Sequence, residues 1–326
     1  MAATDVHVHF IPPSLAGNGS DWRPELVVHE HAVTEVVLNG RRIDSAVDEF
    51  SRLDSIVESA KARGIDRLVL SPWVSLIPSK GSPADLEQVC RIHNEAMASA
   101  IVGFEGSVAA MAMVPVTPGA SAIKILNEAL SMGLVGVEVM ATYGETFLGD
   151  GSMSEFFDYV ADRHTPVFVH PSTRGLNLSV FADRYMWNSV GNPVETAVAA
   201  TNLVLSGTLE RNPELAIVLA HGGGALLSIL DRVERSFDVR PEARAVLNRR
   251  PSESFSKLYV DTVTHSPVLL AALIARFSAS NVLLGSDWPF DMGLDDPVTM
   301  LMDTGISAVE AEAILSGNAK RLWGLR

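Results

Sequence analysis

The sequence predicts an α/β fold, a (β/α)8 TIM barrel with a small β-hairpin insertion after strand 1. Three observations carry that expectation. Eight short runs rich in β-branched residues recur along the 326 residues; amphipathic segments of helical period separate them; and four of the eight runs finish in histidine or aspartate. Alternation of this kind implies parallel strands joined by helical crossovers. Eight such units favour a closed barrel over an open doubly wound sheet, and barrels of roughly 250 residues commonly grow by insertion.

The first strand is Asp5–His9, within "TDVHVHF". Residues 11–48 then break the rhythm. There "ELVVHEHAVTEVVLNGRRI" sets β-branched residues on both sides of Asn39-Gly40, a strong tight-turn signal, and reads as a hairpin embellishing a single domain over residues 1–326. His29 and His31 flank Glu30 on it, and an exposed hairpin face accounts for them, since strand residues two apart share a side. The helix Ser51–Arg63 leads to the strand Arg67–Ser71, Ala84–Ile101 to Val108–Val114, Ala120–Ser131 to Gly136–Met140, and Ser154–Arg163 to Pro166–His170. Pro193–Arg211 then leads to Ala216–His221, Ala225–Phe237 to Leu258–Thr262, and Pro267–Phe277 to Val282–Asp287. Several of these helices end near a glycine or a basic residue, as helices tend to.

Composition narrows the function. An apolar fraction of 47% implies a large core rather than disorder. No apolar run reaches the ~20 residues of a membrane helix, and the amino terminus lacks a signal-peptide pattern, so a soluble cytoplasmic protein is expected. The one cysteine, Cys90, offers neither a disulfide framework nor a thiolate cluster. A formal charge of −14 argues against a nucleic-acid partner, which needs a basic surface. A small molecule is the better expectation.

His7 and His9 stand at alternate positions of a strand and so project together from its carboxyl end, which in a barrel is the catalytic face. Two imidazoles buried on an apolar strand need partners, because an unpaired buried polar group costs about 1–3 kcal/mol. "PVFVHP" ends the fifth strand with His170, "AIVLAHGGG" the sixth with His221, and "VLLGSDWPF" the eighth with Asp287. Four histidines and an aspartate thus fall on one rim. Imidazole and carboxylate are the ligand set of a zinc or manganese centre that keeps a place for water. A binuclear centre would want a bridging group from the fourth strand, where Glu138 sits two residues short of Met140 and too deep; a mononuclear site is expected.

The ordered set "DVHVHF", "VFVHP", "AHGGGALLSILDR", "LYVDTVTHSP", "LLGSDWPF" and "LSGNAKRLWGL" resembles the amidohydrolase-related (amidohydrolase 2) decarboxylases, most closely the aminocarboxymuconate-semialdehyde decarboxylase group. It runs from the first strand to the last helix. The resemblance implies a barrel, one divalent metal (Zn2+, with Mn2+ as the alternative), and release of CO2 rather than hydrolysis. Carried over residue by residue, His7, His9, His170 and Asp287 match the metal ligands, and His221 matches the acid/base, with Asp287 counted in the catalytic machinery as well. Arg232 matches an arginine that reaches into a neighbouring subunit's site, which implies a homodimer; otherwise it is a helix-surface arginine beside Asp231 and Glu234. Asp261 belongs behind these groups, orienting a ligand or His221. Gly222–Gly224 either present backbone N–H groups to a substrate carboxylate or serve close helix packing.

Two departures bear on the substrate. After His170-Pro171 the chain has Ser172 where the related decarboxylases carry aromatic residues, although Tyr185 and Trp187 remain nearby. The hairpin arginine of that group has Arg41 or Arg42 near its place, as well as Asp44. Arg174, close to the rim, suits a carboxylate clamp, or is an ordinary loop arginine. The leading function is a metal-dependent, non-oxidative carboxy-lyase acting on an unsaturated or aromatic carboxylic acid. A hydrolase or hydratase using the same centre on a lactone, amide or unsaturated acid is the alternative, and a relict metal-binding protein the third. His93, His164 and His265 carry no assigned chemistry.

Overall fold

The computed structural model describes residues 2–17, 25–29, 32–38, 41–43, 48–73, 76, 82–115, 120–173, 176 and 178–325. Among them the strands, in chain order, are β1 (Thr4–Phe10), β2 (Glu25–His29), β3 (Ala32–Leu38), β4 (Arg41–Ile43), β5 (Arg67–Pro72), β6 (Val108–Ala110), β7 (Ala112–Met113), β8 (Val137–Met140), β9 (Thr142–Tyr143), β10 (Thr146–Phe147), β11 (Val167–His170), β12 (Ile217–Leu219), β13 (Tyr259–Asp261) and β14 (Val282–Leu283). β1, β5 and β6 pair in parallel, and so do β7, β8, β11, β12, β13 and β14. β6 and β7 are two halves of one expected strand, joined at Met111, whose N–H donates to Leu70 O at 2.9 Å while that of Ala112 donates to Gly136 O at 2.8 Å. At the other seam Val6 N–H donates to Leu284 O at 2.9 Å, Asp287 N–H to His7 O at 2.8 Å and His9 N–H to Trp288 O at 2.8 Å. The ring is closed. It is the (β/α)8 barrel that the alternation predicts.

The expected eighth strand, Val282–Asp287, pairs with β13 only over β14 and then turns along β1. Gly285 sits at that turn, where an added Cβ would lie 3.0 Å from the Cβ atoms of both Asp261 and His7. No larger residue fits between those two side chains without displacing one.

Val6, Val69, Met111, Phe168, Val218 and Leu283 form a cluster together with Trp323. Side chains from positions all round a ring can meet only inside it, so the barrel is filled beneath its carboxyl rim, as such barrels are. Trp323, on the helix Asn318–Trp323, closes the amino end; a Cβ at Gly136 would come within 2.8 Å of its Nε1. Outside, the helices bury the stripes their periodicity announces. Leu53–Ala62 turns Leu53, Ile56, Val57 and Ala60 inward, and Ser154–Asp162 turns Phe156, Phe157, Val160 and Ala161. No described helix is long and apolar enough to cross a membrane.

The insertion differs from the two-stranded hairpin expected. β2, β3 and β4 form a three-stranded antiparallel sheet in that order. A lone hairpin is marginal in water, and a third strand with an apolar face anchors it; Leu26, Val33 and Val36 join the main core, and Val33 N–H donates to Ser51 Oγ at 2.7 Å. Leu38 pairs with Arg41 on either side of Asn39-Gly40, which itself lies outside the described residues. His29 is exposed, while Glu30, His31 and Asp44 fall outside the described set.

Candidate metal centre

β1 and β5 slip register between Asp5 and Val8, so the strand is bulged where it delivers His7. Such bulges re-aim a side chain. His7 and His9 nevertheless meet, Nε2 to Nε2 at 3.1 Å. His170 ends β11, and Asp287 is held with φ of 62° just beyond the seam with β1. One donor atom from each of His7, His9, His170 and Asp287 lies within 4.8 Å of the other three, and all four residues are buried. Asp287 Oδ1 is 3.2 Å from His7 Nε2 and 3.1 Å from His9 Nε2.

The far side of each imidazole is committed. His7 Nδ1 is 2.7 Å from Asp261 Oδ2, His9 Nδ1 3.3 Å from Pro72 O, and His170 Nδ1 2.9 Å from Pro171 O. If those nitrogens donate, each Nε2 lone pair faces the shared centre, the arrangement that metal-ligating histidines use. His170 Nε2 is buried without a hydrogen-bond partner among the described residues, which is unfavourable unless something else binds there. A donor set of three neutral imidazoles and one carboxylate suits zinc or manganese, so the residues fit a divalent cation.

Burial pulls the pKa of His170 well below its ordinary value, reinforced by the neighbouring His221, His9 and His7, and burial lowers that of His9 too. Both therefore favour the neutral form a cation needs. For His7 burial also acts downward, but Asp287 and Asp261 together outweigh it and hold its pKa well above the usual range. Asp287 is held well below the carboxylate range by His7, His221 and His9 in spite of its burial. A cation at this centre would displace the His7 proton, which couples its binding to proton release.

Asp261 does more than orient one group. Its Oδ2 faces His7 Nδ1 and accepts from His221 N–H at 3.0 Å, while its Oδ1 accepts from Gly222 N–H at 2.7 Å and Val263 N–H at 3.0 Å. One carboxylate thus fixes a ligand and the turn that carries His221. His221 Nε2 is 3.2 Å from Asp287 Oδ2, at the wall of the centre rather than among the converging donors.

The glycines after His221 do not present free amides, contrary to one of the two expectations for them. Gly222 N–H is taken by Asp261, Gly223 N–H by Ala220 O at 3.0 Å and Gly224 N–H by His221 O at 2.8 Å. Their role is close approach. Gly224 has φ of 60° and ψ of −128°, and a Cβ there would lie 2.4 Å from Pro193 O.

A cavity of about 260 Å³ opens beside His221 and Asp287, with Asn192, Thr264, Leu227 and Leu273 among its walls. Tyr185 and Trp187 pack edge to face at 5.0 Å, just ahead of the lining residues Asn188 and Ser189. Arg232 is exposed on the helix Leu226–Val239 and does not line this cavity. Arg42 pairs with Glu35 at 3.4 Å; Arg174 and the side chain of Arg41 lie outside the described residues. Sequence reasoning missed Glu195, a fully buried carboxylate that accepts from Ser172 N–H at 2.9 Å, Ser172 Oγ at 3.0 Å and Thr142 Oγ1 at 2.5 Å, and so ties down the turn after His170. Ser172 therefore serves that anchor. Asp5 was missed too: it accepts from His7 N–H at 3.0 Å and from Ser286 N–H at 3.1 Å, bracing two of the three expected strands that supply the converging donors.

Glu138 stands outside the converging group, wholly buried on β8 beside Phe168. Burial pushes its carboxyl from 4.5 up to about 8, against a smaller downward pull from His7. The folded chain then keeps this proton in the window from about 4.5 to 8 while the unfolded chain loses it, so stability falls as pH rises through that window. Glu138→Gln is always neutral and should remove the fall. In metal-free protein the stability gain of the variant should grow from near zero at about pH 4 towards several kcal/mol by about pH 8, because each tenfold difference in proton affinity between the folded and unfolded chain is worth about 1.4 kcal/mol. Melting curves whose difference stays flat across that range would reject a protonated Glu138.

The chain is 26% identical over 328 residues to a 2-amino-3-carboxymuconate-6-semialdehyde decarboxylase of Dictyostelium discoideum, covering 98% of this chain and 91% of that one. Its fold matches the crystal structure of 5-carboxyvanillate decarboxylase from Sphingomonas paucimobilis with a TM-score of 0.81 at 17% identity, over 100% of this chain and 99% of that one. It also matches a dihydroxybenzoic acid decarboxylase from Polaromonas sp. JS666, solved with bound manganese and the inhibitor 2-nitroresorcinol, with a TM-score of 0.79 at 20% identity over 99% and 97% of the two chains. The Amidohydrolase family matches residues 4–325, from the first barrel strand through the helix that plugs the barrel floor, and the chain belongs to that family.

Proposed function

We propose that the protein is a metal-dependent carboxy-lyase that releases CO2 from an unsaturated or aromatic carboxylic acid, with His7, His9, His170 and Asp287 holding one zinc ion, or manganese in its place. The observation that carries this reading is the convergence of one donor atom from each of three histidines and Asp287, with Asp287 itself in the wall of a cavity that a separate histidine, His221, also lines. The names of the relatives, all decarboxylases of small carboxylic acids, support it. When bound, the cation supplies Lewis-acid charge that holds and neutralises anionic oxygen on the substrate.

The remaining work falls to the chain. Loss of CO2 breaks the carbon–carboxyl bond and leaves its electron pair on the substrate carbon, which must receive a proton. His221 is the group placed to give it. Its Nδ1 is buried, so Nε2, 3.2 Å from Asp287 Oδ2, is the atom that moves the proton, and solvent then restores it. Asp287 aligns the ring and balances its charge when protonated. Leu227 and Leu273 keep water sparse where carbon is protonated. We assign Arg232 to a partner subunit's site in a homodimer, since it is exposed and away from its own cavity. Tyr185, Trp187 and Arg174 are assigned to substrate binding.

The test is CO2 release from a panel of hydroxybenzoates and unsaturated dicarboxylates by zinc- or manganese-loaded protein, run beside lactone opening. Evolution of CO2 is expected, and an equal mixture of inactive His221→Ala and Arg232→Ala subunits should recover part of it. Lactone or amide hydrolysis without CO2 would replace this reading by the hydrolase, and no recovery in subunits shown to exchange would remove Arg232 from the site.

A further inference from the structure

Asn192 opens the helix Asn192–Leu205, directly after the π-helical turn Trp187–Gly191. It is 4% exposed, it lines the cavity shared with His221 and Asp287, and its Oδ1 is buried without a hydrogen-bond partner among the described residues. Among the described residues no partner accounts for the amide oxygen. The side-chain hydrogen bond that the residue receives there goes to its backbone O, which accepts from Thr196 Oγ1 at 3.2 Å. Leucine or methionine would fill similar volume without burying an unsatisfied polar atom. The position is also rigid with respect to the reacting groups. Pro193 O accepts from Ala225 N–H at 2.9 Å and lies where a Cβ of residue 224 would be, so the start of this helix is packed directly onto the turn that carries His221.

We propose that Asn192 is a specificity-determining residue whose carboxamide hydrogen-bonds a hydroxyl substituent of the substrate while the substrate's body lies against the apolar wall of Leu227, Leu269 and Leu273. A hydroxyl is the matching group because it can donate to Oδ1 or accept from the amide N–H, and so satisfies either orientation of the amide. A buried amide left unpaired by the wrong ligand discriminates more sharply than a gain of apolar contact does. The inference rests on the proposed function for its ligand class, an aromatic carboxylic acid.

The experiment measures binding rather than turnover. Zinc-loaded wild-type protein and Asn192→Leu are titrated with benzoates carrying a hydroxyl or a methyl at position 2, 3 or 4, as three matched pairs. Wild-type protein should prefer the hydroxyl at one position by about tenfold, and Asn192→Leu should erase that preference while binding the methyl partner at least as well. Metal content and melting temperature equal to wild type certify that the variant is folded; if they are not, Asn192→Met is used for the same comparison. A preference unchanged in the variant, or wild-type protein that shows no hydroxyl preference or binds none of the six acids, overturns the assignment. Hydroxyl preference that depends on Asn192 without CO2 release leaves this inference standing and sinks the decarboxylase reading. CO2 release with an unaltered preference does the reverse.

Discussion

Asp287→Ala should purify with little or no zinc when the wild-type protein holds about one ion per chain, and its affinity should fall by more than ~100-fold. Removing a group that merely supports a ligand commonly costs 10–100-fold in metal affinity, and Asp287 supplies the only carboxylate in the converging set. Its loss takes away the charge that draws a cation to three imidazoles, two of which burial already keeps neutral. The effect also reaches stability. A ligand that binds only the folded state raises its stability in proportion to the logarithm of its concentration over Kd, so added zinc should raise the melting temperature of wild-type protein and leave that of the variant unmoved. Asp287→Asn, of equal size and able to adopt the same positive φ, separates lost charge from lost packing. Metal analysis after chelator dialysis gives the measurement. Full retention of tightly held zinc by both variants would remove Asp287 from the ligand set.

The converging donors were legible because His9, His170 and Asp287 close their expected strands and His7 shares a face with His9. Depth was less legible: His7 and Glu138 both stand two residues short of an expected strand end, yet of the two it is His7, on a bulged strand, that joins the centre. Contacts made by tertiary packing have no such periodic signature. Glu195 lies in "NPVETAVAATNLVL", where it reads as an ordinary helix charge; only the fold turns it inward onto Thr142 and Ser172. Asp5 reaches Ser286 across 281 positions. The glycine triplet was ambiguous for a related reason: its sequence announces unusual backbone but not which acceptors its N–H groups find, and Asp261 takes the first of them. In the insertion, the turn dipeptide was visible while the count of strands was not, because Glu30 and His31 interrupt the β-branched run without a glycine or proline to mark a second turn.

His221→Asn should keep close to one metal per chain while kcat falls by ~10²–10⁴, the range typical of losing a general acid or base. The two parts of this expectation have different structural grounds. Metal is kept because His221 is not among the four converging donors, and because the chief brace of its turn is the backbone bond from its own N–H to Asp261 Oδ2, which does not depend on the imidazole. Asparagine is the better replacement than alanine for this test: residue 221 has φ of 56°, a left-handed conformation that asparagine tolerates and alanine resists. The rate falls because the amide can still hydrogen-bond Asp287 but cannot deliver a proton to carbon. KM should change far less than kcat if the cation and the cavity wall, rather than the imidazole, hold the substrate. Steady-state rates and metal content measured on the same preparations separate the outcomes. A fully active His221→Asn would remove the residue from the proton-transfer step, and a variant inactive only because its metal has gone would make His221 a ligand or a structural support of one.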